Sequence, residues 1–269
     1  MRRSNLELSL QSSKAGCATQ RETAPQCGGC RGSLEAGIVG GIAENIRRIR
    51  ERMALAAEGC GRSPDEIRLL AISKTFPVDS ILDAVRAGQV RFGENRVQEA
   101  EGKILELRDS PGLEWHLVGH LQSNKAKHAA RLFDVIHSID SAALAARVSR
   151  AAAELGKVRV VLLQVDLGKE AAKFGADPER IRDIVEAVSE MPGIRLDGLM
   201  TIPPFFEDPE RSRPFYERLR ELKERLEAGQ PGCLGAGHLS MGMSHDFEEA
   251  IREGATIVRV GTAIFGLRR

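Results

Sequence analysis

From residue 41 onward the apolar positions switch repeatedly between two periods. Ile42, Ile46, Ile49 and Met53 recur at helical spacing, which predicts an amphipathic first helix closed by Gly59 and Gly61. A short apolar run at 68–73 then reads as a buried strand, with a helix at 78–87 stopped by Gly88. The same alternation continues with strands at 90–93, 115–118 and 135–139 and helices at 94–107, 124–132 and 141–155. Residues 158–165 form an unbroken β-branched and leucine run, the pattern of a strand covered on both faces in a parallel sheet. Ile181, Ile184, Val185 and Val188 mark the next helix and 194–200 the sixth strand, before the stripe Phe215, Leu219, Leu222, Leu226. A seventh strand is expected at 238–240, a short helix at 247–252 and an eighth strand at 257–260.

Eight strands alternating with helices over this length predict an α/β fold, a single (β/α)8 TIM barrel with one extra helix in front of its first strand. The alternative is a doubly wound open sheet. It usually carries a nucleotide fingerprint, and no GxGxxG or GxxxxGK[ST] is present. Residues 1–38 lack this periodicity and are rich in Ser, Gly, Gln and Thr, so they read as a disordered N-terminal extension ahead of a 39–269 barrel. Cys27-Gly28-Gly29-Cys30 within it has neither the second pair a zinc site needs nor the preceding strand of a redox motif.

Composition narrows the partners. A formal net charge of +1 gives no bulk electrostatic case for nucleic acid or an anionic membrane. No apolar stretch is long enough to span a bilayer, and the N-terminus lacks a signal-type apolar region, so a cytoplasmic protein is expected. Five scattered cysteines suit a reducing compartment.

The chemistry of a TIM barrel collects at the carboxyl ends of its strands. Lys74 stands at the end of the first, followed by Thr75-Phe76-Pro77. An amine at such a mouth is partly desolvated, as a Schiff-base lysine requires, although a lysine snorkelling to solvent would have the same local sequence. The seventh and eighth strand ends carry Met241-Gly242-Met243-Ser244 and Gly261-Thr262. Each is a small residue with a hydroxyl, at the two loops that often hold phosphate in barrels. Ser244 on its own could be a plain helix cap. Arg259 shares a face of the eighth strand with Ile257, opposite Val258 and Val260. A buried guanidinium needs an acceptor, either a carboxylate such as Asp166 or a ligand ring nitrogen. A phosphate site, a Schiff-base lysine and an arginine for a pyridine nitrogen together describe pyridoxal 5′-phosphate (PLP).

Six segments in order then resemble the pyridoxal phosphate homeostasis proteins, single-domain relatives of the alanine racemase barrel. They are Ala71–Thr75, Phe92–Asn95 with Gln98-Glu99, Gly119–Lys125, Gly198–Met200, Leu239–Ser244 and Val258–Gly266. The resemblance spans about 41–269. It implies that Lys74 forms the internal aldimine with PLP, that Ser244, Gly261 and Thr262 hold the phosphate, and that Arg259 faces the pyridine nitrogen. Asn95 and Met241 would lie beside the cofactor. His120 falls in one of these segments, where it either anchors the third loop or donates a proton. Lys173-Phe174-Gly175 looks like the family's lysine-containing loop after strand five, with Phe174 where a small residue is expected, and its role stays open.

Racemisation at an α-carbon needs an electron sink and bases on both faces. An arginine at the ring nitrogen weakens the sink. Related racemases take their second base, a tyrosine, from an additional domain. Here the barrel runs to Arg269, and the single tyrosine, Tyr216, flanks the Phe215–Leu226 stripe and reads as a surface or packing residue. The expected function is therefore PLP buffering and delivery with little or no amino-acid turnover, apo PLP-dependent enzymes being the candidate recipients. A slow racemase using His120 or another subunit is the alternative. Without a second domain to dimerise, a monomer is expected.

Overall fold

Eight parallel strands close on themselves in chain order in the computed structural model, which describes residues 41–168 and 174–267. They are β1 (Arg68–Ile72), β2 (Arg91–Glu94), β3 (Glu114–Leu117), β4 (Val135–Ile139), β5 (Arg159–Gln164), β6 (Ile194–Met200), β7 (His238–Met243) and β8 (Ile257–Val260). The helices are α1 (Ile42–Glu58), α2 (Val78–Arg86), α3 (Val97–Glu106), α4 (Ala126–Leu132), α5 (Ala142–Glu154), α6 (Ile181–Ser189), α7 (Arg213–Gly229), α8 (Phe247–Arg252) and α9 (Thr262–Phe265). This is the TIM barrel with a preceding helix that the alternating periods predict. The extension at 1–38, its Cys27–Cys30 pair and Lys173 lie outside the described residues.

Two of the boundaries that differ from the sequence pattern bear on the site. The expected helix at 94–107 begins only at Val97, because Glu94 is still in β2 and Arg96 keeps an extended backbone. The seventh strand runs on to Met243, three residues past its apolar signal. Gly242 makes this possible at φ +88°, where a Cβ would come within 2.5 Å of the Ala250 side chain.

Period-two alternation sorts the strand side chains into two cores. Leu69, Ala71, Val161, Leu163, Leu199, Leu239, Val258 and Val260 face outward into the layer under the helices. Leu70, Ile72, Val118, Leu162, Met200 and Ile257 make a smaller cluster inside the barrel. A barrel interior is usually filled with layers of branched apolar residues. Here His116, His137, Ser240 and Arg259 share the buried strand positions with them.

Closure rests on β1 pairing with β8, with Leu70 opposite Arg259 and Ala71 opposite Val260. Helix α1 packs against α2 and α8, the helices that follow the first and seventh strands, with Ile46, Ile49 and Met53 buried beneath it. Asn45 fixes its start by donating from Nδ2 to the Ile264 carbonyl, 2.9 Å away.

Gly198 lies opposite His238 in the β6–β7 ladder at φ +150°, and a Cβ there would stand 2.0 Å from the His238 carbonyl oxygen. Gly198→Ala should therefore cost about 3 kcal/mol or more in urea unfolding, by prying two strands apart. Gly102→Ala, in α3 with open space around it, should instead stabilise by about 0.5–1 kcal/mol. Equal effects at the two glycines would overturn this account of the β6–β7 contact.

Candidate functional site

At the carboxyl ends of the strands a cleft of about 540 Å³ brings together Lys74, Asn95, Ser244, Arg259, Gly261 and Thr262. Lys74 follows in phase from Leu70 and Ile72, which both point into the barrel, so the strand period itself aims it at the cleft. The next residue, Thr75, turns away at φ +68°, the one non-glycine positive φ among the described residues. A β-branched residue in that region costs on the order of 1–3 kcal/mol and must be held by its surroundings.

The holding groups come from β2 and α3. The Thr75 N–H donates to Glu99 Oε1. Buried Lys103 donates from Nζ to three oxygens, each at 2.8 Å: Glu99 Oε1, Glu94 Oε1 and the Ser73 carbonyl. The Ser73 hydroxyl also donates to Glu94 Oε1, at 2.7 Å. Both peptide neighbours of Lys74 are thereby pinned by one ammonium and two carboxylates. Burial raises the pKa of Glu94, against the pull of Lys103 and Ser73, and its Oε2 is buried with no partner. Burial also acts upward on Glu99, but Lys103 and the Thr75 amide outweigh it and hold that carboxyl below its usual value.

Arg259 is 4% exposed and donates from Nη1 to Ser240 Oγ and from Nη2 to the Thr201 carbonyl, both at 2.8 Å. Its hydrogen-bond acceptors are neutral oxygens, not the carboxylate considered from sequence. Burial lowers its pKa, yet a guanidinium starts high enough to stay charged. Beside it, Ser244 Oγ accepts from the amides of Gly261, at 3.2 Å, and Ala263, at 3.4 Å, tying the β7 and β8 ends together. Gly261 allows close approach, since a Cβ there would lie 3.2 Å from the Ile72 carbonyl oxygen. Gly119 lets the third loop touch the second in the same way, with a Cβ position only 2.2 Å from the Asn95 carbonyl oxygen.

Met241 is not brought to the cleft. It is fully buried behind β7 with Phe247 and Ala250, and Met243 lines the cleft in its place. Ser240 faces inward, so Met241 faces outward by alternation. The register shift between Ser240 and Met243, at left-handed Gly242, then reverses the phase and turns Met243 in. Tyr216 is neither at the surface nor in the cleft. It is fully buried and donates to Asp246 Oδ2 at 2.7 Å, while Asp246 Oδ1 accepts the Met243 amide at 2.7 Å. Burial first, then Asp246, push the phenol pKa up, so this residue anchors the seventh loop. His120 lines the rim, stacked on Phe174 with ring centroids 3.6 Å apart and its Nδ1 3.7 Å from Asp140. Phe205, His245 and Gln164 also line the cleft without having been singled out by sequence; Phe205, 73% exposed, is the kind of unburied aromatic that only a surface reveals. The described lining includes Lys74 and Arg259 and no carboxylate, a field suited to an anion.

If the Glu99 contact holds the turn after Lys74, Glu99→Ala should lower stability by about 1–3 kcal/mol. Thr75→Gly in the same background should then recover part of the loss, because glycine needs no help at positive φ. Denaturant midpoints of the four proteins decide it. Absence of recovery would show that Glu99 does not act through this turn.

Residues 40–269 match the family model described as alanine racemase, N-terminal domain. The pyridoxal phosphate homeostasis protein of Aquifex aeolicus is 44% identical over 84% of this chain and 98% of its own length. The solved structure of PipY from Synechococcus elongatus with PLP bound is 41% identical, with a TM-score of 0.75, over 84% of this chain and all of that one. An alanine racemase of Clostridium difficile shares the fold at 16% identity and a TM-score of 0.60, with 57% of its chain covered. A Lys74 cleft on a closed barrel, matched over nearly all of each curated relative, places this chain in the pyridoxal phosphate homeostasis protein family, within the alanine racemase N-terminal domain family.

Proposed function

We propose that this protein binds pyridoxal 5′-phosphate in the cleft, holds it as a reversible Schiff base on Lys74, and serves to buffer and deliver it with little amino-acid turnover. The observation that carries this reading is the convergence of Lys74, Arg259 and the Ser244–Gly261–Thr262 group on one cleft of about 540 Å³. An amine, a donor-only guanidinium and a cluster of amides and hydroxyls fit an aldehyde, a ring nitrogen and a phosphate in turn. The volume suits a small cofactor. The names of the curated relatives and the PLP-bound PipY structure support the same reading.

When bound, the cofactor supplies an electrophilic aldehyde and an electron-withdrawing ring. The protein's residues do the rest. Lys74, held by Ser73 and Thr75, presents its amine from a part-buried position. Gly261, Thr262 and Ser244 anchor the phosphate where β8 passes into α9, and Asn95 borders the opposite wall. Arg259 donates only, so it would hold a ring nitrogen facing it unprotonated and weaken its pull on electrons. Tyr216 is committed to Asp246 away from the cleft, which leaves it unsuited as a second base. This balance favours holding the aldehyde over turning an amino acid over. No helix among the described residues is long and apolar enough to cross a membrane. A monomer passing the cofactor to apo-enzymes agrees with a barrel that holds its ligand without a second base.

Titration with PLP should produce a visible absorbance band in the wild type that is lost in Lys74→Ala. A band that persists unchanged in the variant would remove the central claim. Ser244→Ala combined with Thr262→Ala should weaken binding about tenfold or more, by loss of two hydroxyl donors to the phosphate. Racemisation assays over an amino-acid panel should stay near background, and robust Lys74-dependent turnover would overturn the carrier role.

A further inference from the structure

A line of buried polar groups runs through the barrel from Arg259 to its opposite mouth. Arg259 Nη1 lies 2.8 Å from Ser240 Oγ, and Ser240 Oγ lies 2.9 Å from His137 Nδ1. His137 Nε2 lies 2.8 Å from His116 Nδ1, and His116 Nε2 lies 3.1 Å from Glu114 Oε1. The last is an ion-pair distance whose alignment is too poor for a hydrogen bond, so that nitrogen counts as buried without a partner. His116 and His137 are 1% and 0% exposed, buried as fully as any apolar core residue. Glu114 reaches the foot of the barrel, where a cavity of about 190 Å³ is also lined by Arg68, Arg195, Asp197 and His238. Its other oxygen accepts from Arg91 at 3.0 Å.

The direction of every bond in this column follows from its first member. A guanidinium has no lone pair to offer, so Ser240 Oγ must accept from Arg259. The Ser240 proton then goes to the neighbouring His137 Nδ1. Burial above all pushes the His137 pKa well down, so the ring is neutral and carries its one proton on Nε2. That proton is donated to His116 Nδ1, which leaves the His116 proton on Nε2, facing Glu114. The opposite polarity would have Ser240 accept from both neighbours and strand its own buried proton. Glu114 is held ionised, its pKa lowered to about 2 chiefly by His116, with Arg91 and Arg68 adding to the effect.

We propose that Ser240, His137 and His116 form a one-way hydrogen-bond relay, its last N–H turned toward the Glu114 carboxylate, that orients the Arg259 guanidinium from the far mouth of the barrel. The four are positioning residues, and through them the groups around the foot cavity bias the cation that borders the cleft. The part of the proposal concerning the ligand rests on the PLP reading above; the bond directions do not.

Two experiments test it. In apo-protein labelled with 15N-histidine, the tautomers of the six histidines can be read by NMR and the two buried ones assigned through His116→Gln and His137→Gln. At neutral pH both should carry hydrogen on Nε2 with Nδ1 bare. A proton on Nδ1 of either ring would overturn the relay, whether or not PLP binds. In the holo-protein, His116→Phe should shift the Lys74-dependent absorbance band and its pH profile. The same substitution in an Arg259→Gln background should produce no further shift. An equal shift in both backgrounds would show that His116 acts on the fold at large and not through Arg259.

Discussion

The pairing of the last strand with the first is the constraint from which the site follows. Leu70 sits opposite Arg259 and Ala71 opposite Val260, so two residues far apart in sequence become neighbours at one rim of the barrel. In-phase continuation of β1 delivers Lys74 to the cleft, and the inward face of β8 delivers Arg259, while the chain beyond β8 turns at Gly261 into α9. Gly261 is small because the Ile72 carbonyl passes so close. Helix α1, packed on α2 and α8, buries apolar surface near this seam, and Asn45 binds it to the last helix.

The direction of Lys74 is held by its neighbours in the chain. The left-handed Thr75 turn is unfavourable, and its stability is drawn from a buried Lys103 shared by two carboxylates and a carbonyl. Such a cluster is costly to desolvate, and Glu94 keeps an unpartnered oxygen as the residue of that cost. What it provides is a fixed direction for the residue between Ser73 and Thr75. A flexible turn would let a long ammonium side chain find solvent.

The parts of this arrangement that could be read from sequence are those governed by period. The eight strands, the inward face of Arg259 and the outward faces of Val258 and Val260 need only alternation, and the glycine-plus-hydroxyl strand ends need only the barrel. Plain alternation from inward Ser240 already turns Met241 out, against its place beside the cofactor implied by the resemblance, whereas Met243 turns in only because left-handed Gly242 reverses the phase, and a glycine's φ is not written in its neighbours. Tyr216 proves to be the packing residue of the two options the sequence leaves open, and its hydrogen bond is illegible there because its partner Asp246 is thirty positions away and belongs to a later loop. Nothing in the sequence sets Lys103 apart from an ordinary helix lysine, because two of its three acceptors, Glu94 and the Ser73 carbonyl, come from other segments of the chain. His116 and His137 carried no spacing signal at all. They occupy single positions in apolar strands, where a satisfied core histidine and a relay member have the same sequence.

The relay also accounts for where the negative charge is kept. A buried arginine is ordinarily paired directly with a carboxylate, yet a carboxylate next to Arg259 would stand against the cleft and repel an anionic ligand. With Ser240, His137 and His116 interposed, the carboxylate is Glu114 at the opposite mouth, where 31% of its side chain reaches solvent and Arg91 shares its charge. Desolvation there is smaller than it would be on the axis. The cleft keeps its cations without facing a described carboxylate, and the guanidinium is still answered by a chain of donors all pointing away from the ligand. Polar residues in a barrel interior normally weaken it by leaving groups unpaired. In this barrel they substitute for apolar layers at the strand positions that connect the two mouths, and Ser240 and His137 each have an aligned partner on both sides.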